Sequence, residues 1–261
     1  DLYSPSTIIK NIPDKIQCSK FTINEHDEMP SDLTLKEILV RSSNIGTIKV
    51  ARSLGEDKLK NFLEDLNLLN KINLELDEIG SPLKFLWNKC KLETVSYGHG
   101  ITTTPLQAAS AYASITNGGI VVNPTLIKNR TMNSKTKRIV SLKTSKNINN
   151  MLREVVVSAD GTASLAEVNG YYVGGKTGTA ESYGDKNNRL NTFISIFPTN
   201  KPHYSLFVML ENPKINKDLI YIYRGVKTRA PYNTSGWNAV YVAGKIIEKI
   251  GPILAIKSRD F

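Results

Sequence analysis

The sequence predicts an α+β domain in which helices flank an antiparallel β-sheet. Three observations predict it. Helical periodicity dominates the first third of the chain, β-rich segments cluster between Tyr171 and Leu210, and one apolar-striped helix closes the sequence. Strands do not alternate with helices, which argues against the parallel sheet of βαβ units. With 261 residues and 40% hydrophobic content, the chain can bury a sizeable core. No repeat, low-complexity tract or long linker divides it, so residues 1–261 are expected to form one domain.

The elements follow in order. The chain opens on Asp1-Leu2-Tyr3 without Met, and Pro5, Pro13 and Pro30 interrupt a stretch of little periodicity, so it is expected to be a fragment lacking its natural N-terminus. Thr34 with Glu37 forms a capping box, and Leu35, Ile38 and Leu39 supply the apolar stripe of a first helix. Ser42-Ser43-Asn44 follows. A second helix runs from Asn44 through Ile45, Ile48, Val50 and Ala51 to Gly55, and a third carries Leu59, Phe62, Leu63 and Leu66. Thr104 as N-cap, Pro105 at the first helical position and Gln107 to complete the box start another, which Asn117-Gly118-Gly119 ends. Ile120 to Lys128 and Lys137 to Leu142 read as short strands. Ile148, Met151, Leu152, Val155 and Val156 then mark a helix before Gly161. Tyr171 to Thr179, Asn191 to Pro198 and Tyr204 to Leu210 read as strands, the last two joined as a hairpin by Thr199-Asn200-Lys201-Pro202. Val240, Ala243, Ile246, Ile247 and Ile250 mark the closing helix.

Composition narrows the function. Lys plus Arg number 34 against 24 Asp plus Glu, a net charge of +10 spread over the chain, which suits an anionic partner or surface, although scattered lysines on solvated faces are the commoner explanation. Cys18 and Cys90 allow one disulfide at most and have no companions at zinc spacing, which leaves the redox compartment open. His26, His99 and His203 are isolated, so no metal or cofactor is expected; His99, between two glycines, reads as a loop residue. No apolar run approaches the roughly 18 to 20 residues that span a bilayer.

The sharpest local signal is Gly174-Gly175-Lys176-Thr177-Gly178-Thr179 on a strand. An ammonium, two hydroxyls and a glycine without a side chain let a substrate lie along the strand with its carboxylate held by Lys and Thr. Gly170 to Thr177 formally satisfies the phosphate-loop pattern, but Tyr171, Tyr172 and Val173 are bulky where a loop should cradle phosphate, and no helix follows. Ser42-Ser43-Asn44 supplies Ser-x-Asn, as does Ser145-Lys146-Asn147; Ser42 is preferred because it lies between two helices, whereas capping alone explains Ser145.

Lys-Thr-Gly and Ser-x-Asn are two of the three motifs of active-site serine penicillin-binding proteins and serine β-lactamases. The resemblance extends along most of the chain. Leu33 to Gly46, Tyr97-Gly98-His99-Gly100-Ile101 through Ala109, Asn117-Gly118-Gly119 with Pro124, Gly161-Thr162-Ala163 and Gly174 to Glu181 resemble consecutive landmarks of class B penicillin-binding proteins. Thr192 to Pro198, Leu206 to Leu210 with Pro213, and Gly236-Trp237-Asn238-Ala239 are more similar to septal than to elongation members.

The resemblance implies a peptidoglycan D,D-transpeptidase of the penicillin-binding, serine β-lactamase-like fold, acting on D-Ala-D-Ala stem peptides and inhibited by β-lactams, without a cofactor. It implies that Ser42 relays a proton to the leaving nitrogen, that Asn44 bonds the acyl amide, and that Lys176 polarises Ser42 and attracts the substrate carboxylate. Thr177 and Thr179 would grip that carboxylate across Gly178, and the Thr179 N–H would form half of the oxyanion hole. A D,D-carboxypeptidase, a β-lactam sensor or a non-catalytic peptidoglycan-binding module on the same fold is the alternative. The implied partners are a septal glycosyltransferase and other division proteins, at the periplasmic face of the inner membrane, through an anchor helix outside these residues; no nucleic acid is implied.

One departure stands out. The family nucleophile lies in Ser-x-x-Lys, ahead of Ser-x-Asn. Ser81-Pro82-Leu83-Lys84 and Ser134-Lys135-Thr136-Lys137 fit the pattern but follow Ser42, and Ser6 with Lys10 is spaced one residue too far. The expectation is that a segment before Asp1 carries the nucleophile.

Overall fold

The computed structural model describes residues 2–84, 86–128, 137–182 and 185–258. The chain divides into two compact units, Asp1–Ser145 and Lys146–Phe261.

The first unit opens with strands that the sequence does not announce: β1 (Ile8–Ile9), β2 (Lys15–Cys18), β3 (Phe21–Asn24) and β4 (Leu33–Thr34). β1 pairs antiparallel with β4 and β2 with β3. Two to four residues are too few to show an alternating pattern. Helix α1 (Leu35–Arg41) begins at the expected capping box: Thr34 Oγ1 accepts the Glu37 N–H at 3.1 Å, and the Glu37 carboxylate accepts the Thr34 N–H at 2.8 Å. The Thr34 hydroxyl and then its backbone N–H hold the Glu37 carboxyl below its ordinary pKa.

Helices α2 (Asn44–Leu54) and α3 (Glu56–Asp65) follow where their apolar stripes place them. Ile9, Ile12, Leu33, Ile38 and Ile45 form one buried cluster, and Cys18, Ile23 and Ile48 another. Cys18 and Cys90 are joined in a disulfide, which ties β2 to the residue that starts α4 (Lys91–Ser96). In α5 (Pro105–Thr116) the Thr104 cap, Pro105 and Gln107 take their expected places. Gln107 also reaches outward, its Nε2 donating to the carbonyls of Asn67 and Asn70 at 2.7 Å each.

Two expected strands do not form. Ile120 to Lys128 and Lys137 to Leu142 reduce to a single bridge between Ile120 and Arg138 among the described residues. At the turn leading in, Gly118 and Gly119 adopt φ of 97° and 88°, and a Cβ on Gly119 would stand 2.1 Å from the Val140 carbonyl oxygen. Ser141 Oγ accepts the Thr144 N–H at 3.0 Å, so the chain turns helical before a strand can extend, and α6 (Leu142–Val157) begins. Ser145 is therefore not the cap. It is buried in the first turn of α6, where its hydroxyl accepts the Gly118 N–H at 3.0 Å.

The second unit is built on β5 (Gly174–Ser182), β6 (Asp185–Phe197) and β7 (Tyr204–Glu211), antiparallel throughout and in the order β5-β6-β7. Lys176 sits opposite Ile194, and Phe193 opposite Val208. Phe193, Ile196 and Phe197 of β6 are buried. β5 starts later than the sequence pattern suggests because Gly170 and Tyr172 take positive φ and turn the chain first. A further hairpin, β8 (Tyr221–Tyr223) and β9 (Val226–Thr228), turns through Arg224-Gly225, both at positive φ as a type I′ turn requires. Helix α7 (Ala239–Ser258) packs on β6 and β7 with Val240, Ala243 and Ile247 fully buried.

Candidate active site

In the first unit, Ser42 and Asn44 flank Ser43 in the link between α1 and α2. Ser42 ends α1 in the left-handed conformation, φ 62° and ψ 39°, unusual for a residue with a Cβ. Ser43 is the N-cap of α2, and its hydroxyl accepts the Gly46 N–H at 2.9 Å. A Cβ on Gly46 would stand 2.7 Å from Ser43 Oγ and 2.8 Å from Ile38 Cγ1, so glycine permits the close crossing of α1 and α2.

The link is clamped by Glu25, just beyond β3. Glu25 Oε1 accepts the Ser43 hydroxyl at 2.6 Å and the Ile45 N–H at 2.9 Å, while Oε2 accepts the Asn44 N–H at 2.8 Å. A carboxylate suits the first turn of a helix, where unpaired N–H groups and the helix dipole meet. The Asn44 amide donates to the Asn24 carbonyl at 3.3 Å. Sequence reasoning passed over Glu25 because a lone acid 18 residues before Ser43 has no local signature.

In the second unit, the Lys176 to Thr179 run lies on β5 as expected. β5 stands at the end of the sheet order, with β6 as its partner, and its other edge pairs with no strand among the described residues. Glycines shape the strand: a Cβ on Gly175 would stand 2.4 Å from the Ile194 carbonyl oxygen, and one on Gly178 would stand 2.5 Å from Thr192 Oγ1. Lys176 Nζ donates to the Thr177 carbonyl at 3.2 Å. Burial pushes the Lys176 amine down to about 8, since desolvation penalises the ammonium.

Hydroxyls surround the rest of the motif. Thr177 and Thr162 hydroxyls stand 2.9 Å apart, as do those of Thr179 and Ser235. Ser235, fully buried in the 3-10 turn Ser235–Trp237, also donates its hydroxyl to the Gly178 carbonyl. Trp237 of this turn is stacked on Tyr223 at 4.8 Å, a packing role that fixes the turn against the β8–β9 hairpin.

The other patterns separate from chemistry. Gly174 to Thr177 lies on a strand, so Gly170 to Thr177 is no phosphate loop opening a helix. Ser81 and Lys84 lie in an irregular segment without the helical turn that would align hydroxyl and amine, Ser6 stands in a turn ahead of β1, and Ser134 falls outside the described residues. His99 is a loop residue whose N–H donates to the Thr94 carbonyl and whose ring stacks with Tyr97. Among the described residues, no three His, Cys, Asp or Glu side chains group as a metal site.

The penicillin binding protein transpeptidase domain model matches residues 2–231, a span that runs through both units. The chain belongs to this family. Among the transpeptidase relatives, the probable peptidoglycan D,D-transpeptidase FtsI of Caulobacter vibrioides is 31% identical over 252 residues, covering 91% of this chain and 41% of the relative. The peptidoglycan D,D-transpeptidase FtsI of Buchnera aphidicola (subspecies Schizaphis graminum) is 33% identical over 222 residues, 81% of this chain and 38% of that protein. The chain thus spans about two fifths of the length of these two transpeptidases. Among solved structures, penicillin binding protein 3 of Mycobacterium tuberculosis in complex with aztreonam superimposes with a TM-score of 0.79 at 25% identity, over 99% of this chain and 59% of that one. The apo transpeptidase domain of penicillin-binding protein 3 from Burkholderia pseudomallei gives 0.79 at 22% identity, over 96% and 73%. The α+β fold of helices and antiparallel sheet is that of penicillin-binding transpeptidase domains.

Proposed function

We propose that this chain is the bulk of the transpeptidase domain of a septal peptidoglycan D,D-transpeptidase, both units together making that one domain. The observation that carries the reading is the Lys176-Thr177-Gly178-Thr179 strand, set on a sheet edge that no described strand pairs with and with its lysine desolvated, within a chain matched to the family over residues 2–231. Such an edge lets an extended peptide lie alongside β5.

In this reading a serine hydroxyl attacks the penultimate D-alanine carbonyl of a stem peptide; the C–O bond forms, the C–N bond breaks, and Ser42 passes a proton to the departing D-alanine nitrogen. An amine of a second stem then attacks the acyl-serine, forming the crosslink and returning a proton to the serine. Asn44 bonds the acyl amide. Lys176 with the threonines receives the terminal carboxylate, and the Thr179 N–H contributes to the oxyanion hole. In this reading β-lactams enter by the same acylation, which is supported by the mycobacterial structural neighbour having been solved in complex with aztreonam. The nucleophile in this reading belongs to a Ser-x-x-Lys that precedes Asp1.

The Cys18–Cys90 disulfide supports an oxidising compartment, in keeping with a periplasmic domain anchored in the inner membrane beside a septal glycosyltransferase and other division proteins.

The test is intact-mass spectrometry of the whole gene product and of residues 1–261 after incubation with a penicillin. The whole protein should gain one penicilloyl group on a Ser-x-x-Lys serine, residues 1–261 alone none, and Lys176→Ala should abolish the gain. A whole protein that stays unmodified overturns the reading. Dimeric stem peptides among the products of lipid-linked substrate distinguish crosslinking from simple release of D-alanine.

A further inference from the structure

Around Thr179, each hydroxyl proton can be assigned from chemistry alone. The Gly178 carbonyl oxygen only accepts, so the bond between it and Ser235 uses the single Ser235 hydroxyl proton. The 2.9 Å contact between the Ser235 and Thr179 hydroxyls also needs a proton, and Ser235 has none left to give. It comes from Thr179. The assignment is consistent with the remaining partners: Ser235 Oγ accepts the Thr192 N–H at 3.2 Å, and Thr179 Oγ1 accepts the Ser235 N–H at 3.3 Å. Ser235 is fully buried, so no water competes for its lone pairs.

Thr179 therefore faces outward with a lone pair and no proton. A carboxylate approaching the edge of β5 away from β6 meets an acceptor at Thr179 and gains nothing until that hydroxyl leaves Ser235. Thr177 differs. Its partner is the Thr162 hydroxyl at 2.9 Å, and when Thr162 supplies that bond's proton, the Thr177 proton is available to a ligand. The two threonines of the motif are thus inequivalent, although the sequence pattern treats them alike.

We infer that Ser235 is a positioning residue that holds the Thr179 hydroxyl as an acceptor, so that a ligand carboxylate is first received by Thr177 and Lys176 and only then draws Thr179 away from Ser235. The inference rests on the carboxylate-binding role proposed above. A charge-assisted hydrogen bond is roughly twice as strong as a neutral one, so a bound carboxylate can capture the Thr179 proton, but the Thr179–Ser235 bond lost is subtracted from the affinity.

The test is a double-mutant cycle on the carboxylate-binding step. The whole protein, isotopically labelled, is titrated with N-acetyl-D-alanyl-D-alanine and followed by amide NMR, a measurement that needs no acylation. Ser235→Ala leaves Thr179 a free proton and should tighten binding about five-fold, the equivalent of one neutral hydrogen bond of about 1 kcal/mol. In a Thr179→Val background the same Ser235→Ala change should tighten nothing. Thr177→Val should weaken binding several-fold more than Thr179→Val, a comparison that stands even if Ser235→Ala folds poorly.

A merely structural Ser235 would loosen binding equally in both backgrounds, and that result overturns the inference. So would equal losses from the two valine variants, or no detectable binding by any variant. Penicillin acylation of the unmutated protein, run in parallel, reports separately on the functional reading: acylation without the predicted coupling sinks only the role of Ser235.

Discussion

Glu25 offers a direct test of how the Ser-x-Asn link is held. Its carboxylate accepts three bonds, from Ser43 Oγ, Asn44 N and Ile45 N, all between 2.6 and 2.9 Å. Hydrogen bonds to charged groups are worth about 1.5 to 3 kcal/mol each when measured singly, but Glu25 is half-buried and water replaces part of what is lost. Loss of a helix N-cap costs about 1 to 2 kcal/mol by itself, and Ser43 stays in place to cap Gly46. Glu25→Ala is therefore expected to cost about 2 to 3 kcal/mol. Glu25→Gln keeps the size but points an amide N–H at backbone donors, and should cost about half as much. Urea unfolding at constant slope measures both. At temperatures well below melting the protein stays folded, so in the whole gene product, and on the roles proposed for Ser42 and Asn44, a fall in penicillin acylation reports their displacement and not unfolding. A ten-fold fall or more is expected, since small misplacements of reacting groups cost that much. A stability loss under about 0.5 kcal/mol would show that the three bonds are replaced by water at no cost, and the clamp would lose its meaning.

Two further expectations concern the motif lysine and the disulfide. Lys176 has its pKa lowered to about 8 in the fold, from 10.5, so between those values the unfolded chain binds more protons than the folded one. Its burial penalty is present in full below pH 8 and is relieved as pH rises toward 10.5, so stability should climb across that window by up to roughly 3 kcal/mol relative to Lys176→Met; parallel curves for the two proteins would mean the amine is not desolvated. Breaking the Cys18–Cys90 link, 72 residues apart in sequence, releases a loop whose closure is worth about 4 kcal/mol in the chain-entropy account. Urea midpoints with and without reductant should reflect that loss, and a difference below about 1 kcal/mol would show that the cross-link constrains the unfolded chain little.

What could be read from the sequence is what local chemistry decides. Thr34 with Glu37 and Thr104 with Gln107 bond across three residues, so their capping boxes are written wherever the residues stand together. The β6–β7 hairpin and the β5 motif strand follow from β-branched and aromatic runs broken by a turn. Where two local signals compete, a single turn of helix separates success from failure: Ser141 and Ser145 both suit a cap, and only the approach of Gly118 decides that Ser145 serves another purpose. Ser42 and Asn44 are marked in the sequence by their motif, yet what holds the link between them, Glu25, comes from beside a hairpin whose four-residue strands carry no period. Ser235 lies 56 residues beyond Thr179 and resembles any serine that precedes a glycine in a turn. Motif patterns name the residues that touch a substrate because those residues sit close in sequence; the residues that set their protons and angles arrive through the fold. Thr177 and Thr179 look equivalent in a string of letters, and only the fold gives their hydroxyls different partners, Thr162 for one and Ser235 for the other.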